Sequence, residues 1–154
     1  MSKVIIGIDP GNAGGIAVLD MGGNVVLCTK MPDTPFGILK ALKDICAEHN
    51  AVCYLEDVGR GIPGQSSSAT AKFARHNGHL EMALIATEIK TATVTPQKWQ
   101  KAYQLGKSSE HSKTEWKNKL KAKAQQLFPD IAKKITLATS DALLIAEYGR
   151  MREK

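Results

Sequence analysis

The sequence lacks any apolar run long enough to cross a bilayer, and its first residues do not form a signal-peptide pattern. Residues 4–8 are apolar, but the glycines and charged residues that follow end this run. The sequence also lacks internal repeats and low-complexity segments. These absences argue against a membrane-spanning protein, a secreted protein and a repeat array. We expect one domain over residues 1–154, long enough to bury a good core, and no membrane partner.

Cysteine is scarce, and its three positions do not match the spacing of a metal site. Cys28, Cys46 and Cys53 are odd in number, which argues against a disulfide framework. We expect three reduced thiols in a cytoplasmic protein, with Cys53 inside an apolar strand as part of the core.

Acids are the minority among the charged residues: 15 Asp and Glu stand against 21 Lys and Arg, for a formal net charge of +6. The excess is local, because residues 96–134 contain ten lysines but only three acids. A basic block on an otherwise balanced chain favours a nucleic-acid partner, whose phosphates it would neutralise. The alternative is that these lysines only form the hydrated face of a helix.

Hydrophobic periodicity and turn residues predict a mixed sheet with helices on its faces, an α/β or α+β sandwich. The fourth strand is almost wholly apolar, as is typical of the covered centre of a sheet. Gly78 interrupts the second helix and suggests close packing there. The predicted strands are 3–9, 14–20, 24–30, 51–57 and 91–95, and the predicted helices are 35–49, 69–88, 97–103, 113–127 and about 139–151.

Three acids lie inside or at the end of apolar elements. Asp9 follows an apolar strand and precedes a glycine-rich turn, and Glu56 and Asp141 have similar surroundings. A buried carboxylate is costly without a cation beside it, and three such acids far apart in sequence suggest a two-metal phosphodiesterase centre. Each acid also has a plainer interpretation, as a turn acid, a strand-end surface acid and an acid at a helix N-terminus respectively.

Two polar segments are predicted to be loops. Residues 59–68 include Gly59, Gly61, Pro63 and Gly64 and begin just after Glu56, so we expect them to contact a substrate. Residues 104–112 are polar and are expected to be mobile.

Four stretches, in order and over nearly the whole chain, resemble the RuvC family of Holliday junction resolvases, within the ribonuclease H-like fold. Residues 7–11 (GIDPG) and 55–58 (LEDV) resemble that family's first two acidic motifs. Residues 73–81 with 94–99 are similar to its middle section, and residues 140–149 resemble its C-terminal motif. The likeness is greatest to the compact phage-type members.

The resemblance implies a five-stranded mixed sheet flanked by helices, and a homodimer that nicks four-way or other branched DNA. It implies two Mg²⁺ or Mn²⁺ ions per active site, with Asp9 bridging them and Glu56 and Asp141 each holding one. The catalytic and metal-binding candidates are therefore the same three acids. The implied location is the cytoplasm of a bacterial or phage-infected cell, and an organelle stays open.

The fourth carboxylate of the family is missing here. The family usually has an acid one helical turn before the position of Asp141, where this chain has Leu137 and Ala138. Glu147 is rotated away from Asp141 on a helix, and Asp57 should point away from Glu56 on a strand. Either one metal is weakly held and completed by water or substrate phosphate, or the fourth ligand has another source.

The candidates for DNA contact are basic residues in and near the lysine-rich block, together with one aromatic residue beside a polar loop. They are Lys72, Arg75, Lys98, Lys101, Tyr103, Lys107, Lys113, Lys117 and Lys121. Phe73, Trp99 and Trp116 are alternatives for base stacking, although core packing is favoured for Phe73 and Trp116 because they lie on apolar helix faces.

Three functions are compatible with these features. The first is a metal-dependent endonuclease acting on branched DNA. The second is a junction-binding protein with a weakened or vestigial nuclease site, which the missing fourth acid motivates. The third is a phosphotransferase of the actin and hexokinase type, which also begins with an Asp-x-Gly hairpin but needs a second lobe for its nucleotide.

Overall fold

The computed structural model describes residues 1–59 and 64–154. Part of the predicted substrate loop, including Gly61 and Pro63, lies outside the described residues. Within the two described ranges, no helix has the length and apolar character needed to cross a membrane.

Five strands and five helices make up the regular structure of the described ranges. The strands are β1 (Lys3–Asp9), β2 (Gly15–Asp20), β3 (Val25–Lys30), β4 (Asn50–Glu56) and β5 (Lys90–Val94). The helices are α1 (Pro35–Glu48), α2 (Ser67–Ala86), α3 (Pro96–Lys101), α4 (Lys113–Leu127) and α5 (Leu137–Arg152), with short 3₁₀ turns at Ser108–Glu110 and Pro129–Lys134.

The strands form one sheet in the order β3-β2-β1-β4-β5. β1, β2 and β3 are an antiparallel meander, whereas β4 pairs with both β1 and β5 in parallel. The predicted five-stranded mixed sheet is therefore confirmed. Because β1 and β4 are parallel neighbours, their carboxyl ends meet at one edge of the sheet.

Alternating residues of β1 divide the core into two layers. Ile6 and Ile8 face α1 and α2 on one side, while Ile5 faces α5 on the other. Gly7 and Asp9 follow Ile5 at the two-residue spacing of a strand, so they share its face. Tyr54 and Glu56 of β4 likewise share that face. The sheet therefore presents Asp9 and Glu56 toward the side that α5 covers.

Helix α5 lies unusually close to the sheet because glycine removes the side chain where they cross. A Cβ on Gly7 would lie 2.3 Å from the carbonyl oxygen of Ala142 and 2.4 Å from the backbone nitrogen of Ala146. A Cβ on Gly15 would lie 2.5 Å from the carbonyl oxygen of Ala138. This close contact sets the distance between α5 and the sheet. It therefore also sets the position of Asp141 relative to the end of β1.

Several bounds of the predicted elements differ from the structure by one or two residues, and α2, at Ser67–Ala86, begins and ends two residues earlier than predicted. The final helix begins at Leu137, two residues earlier than predicted, because Thr136 and Thr139 form a reciprocal cap at its start. The 3₁₀ turn at Pro129–Lys134 was not predicted. The interpretation of Gly78 as a site of close packing is wrong: it is exposed, and a Cβ there would meet nothing within 4 Å.

Candidate active site

The three predicted acids line one cleft at the carboxyl ends of β1 and β4. Asp9 is the last residue of β1, Glu56 is the last residue of β4, and Asp141 lies in the first turns of α5. The cleft has a volume of about 420 Å³. We call it the acid cleft. Its other described lining residues are Pro10, Gly11, Asn12, Ala13, Gly14, Val58, Gln65, Phe73, Lys113, Lys117, Leu137 and Ser140.

Burial and mutual repulsion make the charged forms of these acids unfavourable. Burial, followed by the charges of Asp141 and Glu56, raises the pKa of Asp9 to about 9. Burial and the charge of Glu56 raise the pKa of Asp141 to about 7. The free protein therefore does not hold three full negative charges at neutral pH, and a divalent cation is the partner that would let all three ionise.

Glu56 is the most firmly held of the three carboxyls. Burial raises its pKa, while hydrogen bonds with the indole of Trp99 and with Asp9 oppose that rise. The Trp99 Nε1–H donates to Glu56 Oε2 over 2.7 Å. Glu56 also raises the pKa of Asp9, so the environments of these two carboxyls depend on each other.

Helix α4 brings a positive charge to the same cleft. Lys113 and Lys117 both line it, one turn apart on α4. The charge of Lys117 lowers the pKa values of Asp9 and Asp141, which shows that its ammonium acts on both carboxyls. One lysine offsets part of the repulsion among three acids, and the remainder favours binding of a cation.

The ligand atoms that line the acid cleft are of the chemical type that a hard divalent metal prefers. Carboxylate oxygens are the ligands that Mg²⁺ and Mn²⁺ prefer, and the three acids open onto space rather than onto apolar side chains alone. In the part of the chain that the structure describes, no three His, Cys, Asp or Glu side chains are already arranged to hold an ion together. The acids therefore share a cleft without forming a closed cage.

Apolar residues occupy the position where the RuvC family has its fourth acid. Leu137 lines the acid cleft and is half exposed there, while the backbone of Ala138 packs toward Gly15. Glu147 is buried and engaged by Arg150 at 2.7 Å and 2.8 Å. Asp57 is exposed and accepts a hydrogen bond from the backbone of Gly59. Neither of these acids lines the cleft.

The lysines predicted to contact DNA lie on several different elements of the structure. Lys113 and Lys117 enter the acid cleft. Lys98 and Lys101 are exposed on α3, Lys107 is exposed in the loop after it, and Lys121 is half-buried on α4.

A second group of basic side chains borders the acid cleft. Lys72 and Arg75 of α2 line an adjoining depression with Asn12, which also lines the acid cleft. Phe73 contributes to both the acid cleft and a smaller depression that contains Lys72. We call Lys72, Arg75 and Asn12 the basic groove, and it is continuous with the acids across the turn after β1.

The aromatic residues occupy positions that the sequence did not all predict. Trp116 is in the core as expected, and Trp99 is fully buried, so the base-stacking alternative for Trp99 is wrong. Phe73 lies at the acid cleft rather than in the core, 3.4 Å from where a Cβ on Gly11 would lie. Tyr103 packs edge-on against Trp99 and its hydroxyl donates to the carbonyl of Leu144.

The packing of Tyr103 argues against its assignment as a base contact. Burial raises the pKa of its hydroxyl well above the usual range. Stacking on a base would require the hydroxyl to leave Leu144 and the ring to leave the core. We therefore leave Tyr103 out of the DNA surface proposed below.

Tyr103→Phe should destabilise the protein without weakening DNA binding. The change leaves the Leu144 carbonyl without its side-chain donor, which costs about 1 kcal/mol. Urea unfolding measures the loss, and a fluorescence titration with junction DNA in EDTA should give an unchanged Kd. A Lys117→Ala variant serves as the comparison for loss of a DNA contact. If the Kd of Tyr103→Phe rises as much as the Kd of Lys117→Ala, Tyr103 is a DNA contact.

The metal-free protein should lose stability as the pH rises. The pKa of Asp9 is about 9 and that of Asp141 about 7, both above the ordinary carboxyl value of 3.8. The folded state then keeps protons that the unfolded chain has released. The stability from these groups is complete below the unfolded pKa and is lost as the pH passes through the folded pKa values.

Urea unfolding in EDTA between about pH 5 and about pH 9 tests this pH dependence. The midpoint should fall across the range, and Asp9→Asn should flatten the fall at the alkaline end. A midpoint that rises with pH would contradict the assignment of raised pKa values to these acids.

Comparison with solved structures gives whole-chain matches to RuvC. Thermus thermophilus RuvC in complex with a Holliday junction substrate has a TM-score of 0.66 and 14% identity, and the alignment covers 98% of this chain and 95% of that one. A Thermus thermophilus RuvC structure gives a TM-score of 0.65 and 14% identity, over 97% and 95%. No family model matches the sequence, and no curated protein matches it.

The chain has the ribonuclease H-like fold, as the resemblance implied. Within that class it resembles RuvC over nearly its whole length. At 14% identity the likeness is one of fold, so the activity must be argued from the residues of the cleft.

Proposed function

We propose that this protein is a metal-dependent endonuclease that nicks four-way or other branched DNA as a homodimer. The observation that carries the proposal is the meeting of Asp9, Glu56 and Asp141 in one cleft beside Lys113 and Lys117. The RuvC-like fold supports it, and so does the basic block of the sequence.

The acids would hold the metal. Asp9 is our candidate for the shared ligand of two Mg²⁺ or Mn²⁺ ions, as the resemblance to RuvC implies, and the charges of both Asp141 and Glu56 act on its carboxyl. Glu56 and Asp141 would each complete one ion. Bound divalent ions supply a nucleophilic water near neutral pH and stabilise charge on the phosphate.

The remaining cleft residues would position the DNA. Lys113 and Lys117 are our candidates to hold the scissile phosphate, because both residues line the same cleft as the acids and the charge of Lys117 acts on Asp9 and Asp141. The basic groove would take the backbone on the far side of the Gly11–Asn12 turn. Phe73, at the boundary between the two, offers an aromatic surface to an unpaired base.

We infer the homodimer from the proposed reaction and not from a contact between two copies of the chain. A four-way junction has a two-fold axis, and two symmetric nicks need two clefts related by that axis. Sedimentation at micromolar concentration, with and without junction DNA, measures the oligomeric state directly.

One observation favours a second candidate, a junction-binding protein with a weakened nuclease site. Leu137 and Ala138 stand where the family has its fourth acid, and the described acids do not form a closed metal cage. This candidate predicts tight binding of branched DNA with no cutting in either metal.

A labelled synthetic four-way junction distinguishes the two candidates. The purified protein is incubated with the junction in Mg²⁺, Mn²⁺ or EDTA, beside a linear duplex of the same sequence. Paired nicks in opposing strands of the junction only, and only with metal, support the endonuclease. Binding without nicks in both metals supports the second candidate, and nicking of the duplex at the same rate contradicts structure specificity.

A further inference from the structure

We propose that Trp99 is a positioning residue, whose indole N–H holds the Glu56 carboxylate in the orientation that a divalent cation needs. The inference rests on the proposed function and deepens it, because it assigns a task to a residue outside the set of acids. Trp99 does not line the acid cleft, so any effect on metal binding would act through Glu56.

The contact itself is buried at both ends. Trp99 is 0% exposed and Glu56 is 8% exposed, and the Nε1–Oε2 distance is 2.7 Å. An indole N–H donates only one hydrogen bond and cannot accept any. It therefore engages Oε2 of Glu56 and makes no hydrogen bond with Oε1, and the indole itself does not titrate.

The local fold delivers Trp99 to this position. Val94, the last residue of β5, pairs with Glu56 across the parallel ladder, and the next backbone N–H, of Asp57, donates to the Val94 carbonyl over 2.8 Å. Helix α3 starts at once, with Thr95 as its cap. One helical turn then places the Trp99 side chain beside the end of β4.

The ring of Trp99 also contacts a second aromatic ring. Tyr103 packs edge-on against it, with ring centroids 6.4 Å apart at 74°. The Tyr103 hydroxyl donates to the carbonyl of Leu144, one turn after Asp141 on α5. A short chain of contacts thus joins the helix that bears Asp141 to the carboxylate of Glu56.

Trp116 offers a matched comparison within the same chain. Its indole N–H also donates to a side-chain oxygen, that of Gln100 at 3.1 Å, but this acceptor is an uncharged amide that does not line the acid cleft. The protein contains two tryptophans, so each N–H can be observed and removed separately.

The first measurement uses the unmodified protein. A ¹H–¹⁵N spectrum should contain two indole resonances, and a Mg²⁺ titration should shift that of Trp99 while leaving that of Trp116 in place. The two resonances are assigned with Trp99→Phe and Trp116→Phe. A merely structural Trp99 would show no preferential response to the metal.

The second measurement compares the two variants by calorimetric titration with Mg²⁺ and Mn²⁺ in the absence of DNA. Trp99→Phe should weaken metal binding by about 10–100-fold, the effect of losing a partner that orients a ligand. Trp116→Phe should leave it unchanged. Both variants should bind junction DNA in EDTA as the wild type does, and Trp99→Phe should need more Mg²⁺ for half-maximal cleavage.

The outcomes separate this inference from the proposed function. If the wild type binds metal and cuts junctions, but the Trp99 resonance does not move and Trp99→Phe binds metal normally, the positioning role is overturned and the nuclease stands. If the wild type binds neither Mg²⁺ nor Mn²⁺, the proposed function fails and this inference fails with it.

Discussion

Asp9→Asn should abolish junction cleavage and raise the melting temperature of the metal-free protein. The amide cannot carry the charge that would bind the two metals, so cleavage should fall by about 10²–10³-fold or more. The same change removes a carboxyl whose pKa is raised to about 9 by burial and by two acidic neighbours. Asparagine is neutral without having to take up a proton on folding, so the change should stabilise the fold by about 1 kcal/mol, or about 2–4 °C.

Asp44→Asn is the matched control, because Asp44 is an exposed acid on α1 paired with Lys40. It should change neither the cleavage rate nor the melting temperature by a measurable amount. Scanning calorimetry in EDTA and the junction assay in Mg²⁺ give the two readouts. If Asp9→Asn cuts at the wild-type rate, the proposed metal site is refuted. If its melting temperature falls, the raised pKa of Asp9 is refuted.

Gly7→Ala should be among the most damaging single substitutions in the protein. The new methyl group would lie 2.3–2.4 Å from backbone atoms of Ala142 and Ala146, which are held within a helix and cannot move alone. The helix must therefore shift as a unit away from β1. We expect a loss of about 3 kcal/mol in the free energy of unfolding, and lower metal affinity because Asp141 moves with the helix.

Gly78→Ala is the control for this prediction. It makes the same chemical change on an exposed face of α2, where the methyl group would meet nothing within 4 Å. Alanine should therefore stabilise the protein by about 0.5–1 kcal/mol. Urea unfolding of both variants tests the pair, and equal effects at the two glycines would contradict the close approach of α5 to the sheet.

Much of the fold could be predicted from local pattern. Apolar alternation and turn residues predict all five strands, and the run from Ala51 to Glu56 is apolar enough to identify β4 as an interior strand of the sheet. The start of α5 was predicted two residues late, because the reciprocal bond between Thr136 and Thr139 that fixes it is a side-chain interaction rather than a periodicity. Gly78 was misinterpreted because sequence alone does not separate a glycine that permits contact from one that is merely tolerated.

The acids of the site were predictable, but their supporting residues were not. Asp9, Glu56 and Asp141 each interrupt an apolar element, which is a visible signal, and the structure brings all three to one cleft. Trp99 and Phe73 are both aromatic residues on predicted helices, and nothing local distinguishes the one that is buried against Glu56 from the one at the cleft. That difference depends on how β5 and α2 are placed against β4 and the turn after β1.

The chain order of the three acids restricts when this protein can act during its own synthesis. Ribosomes deliver the N-terminal part first, so Asp9 and Glu56 emerge long before α5, which brings Asp141 and covers Gly7 on β1. A nascent chain without α5 lacks one acid and leaves one face of its sheet bare. Under the proposed function, the unfinished polypeptide carries its basic block but lacks its third acid, so we expect it to cut nucleic acid only after α5 docks.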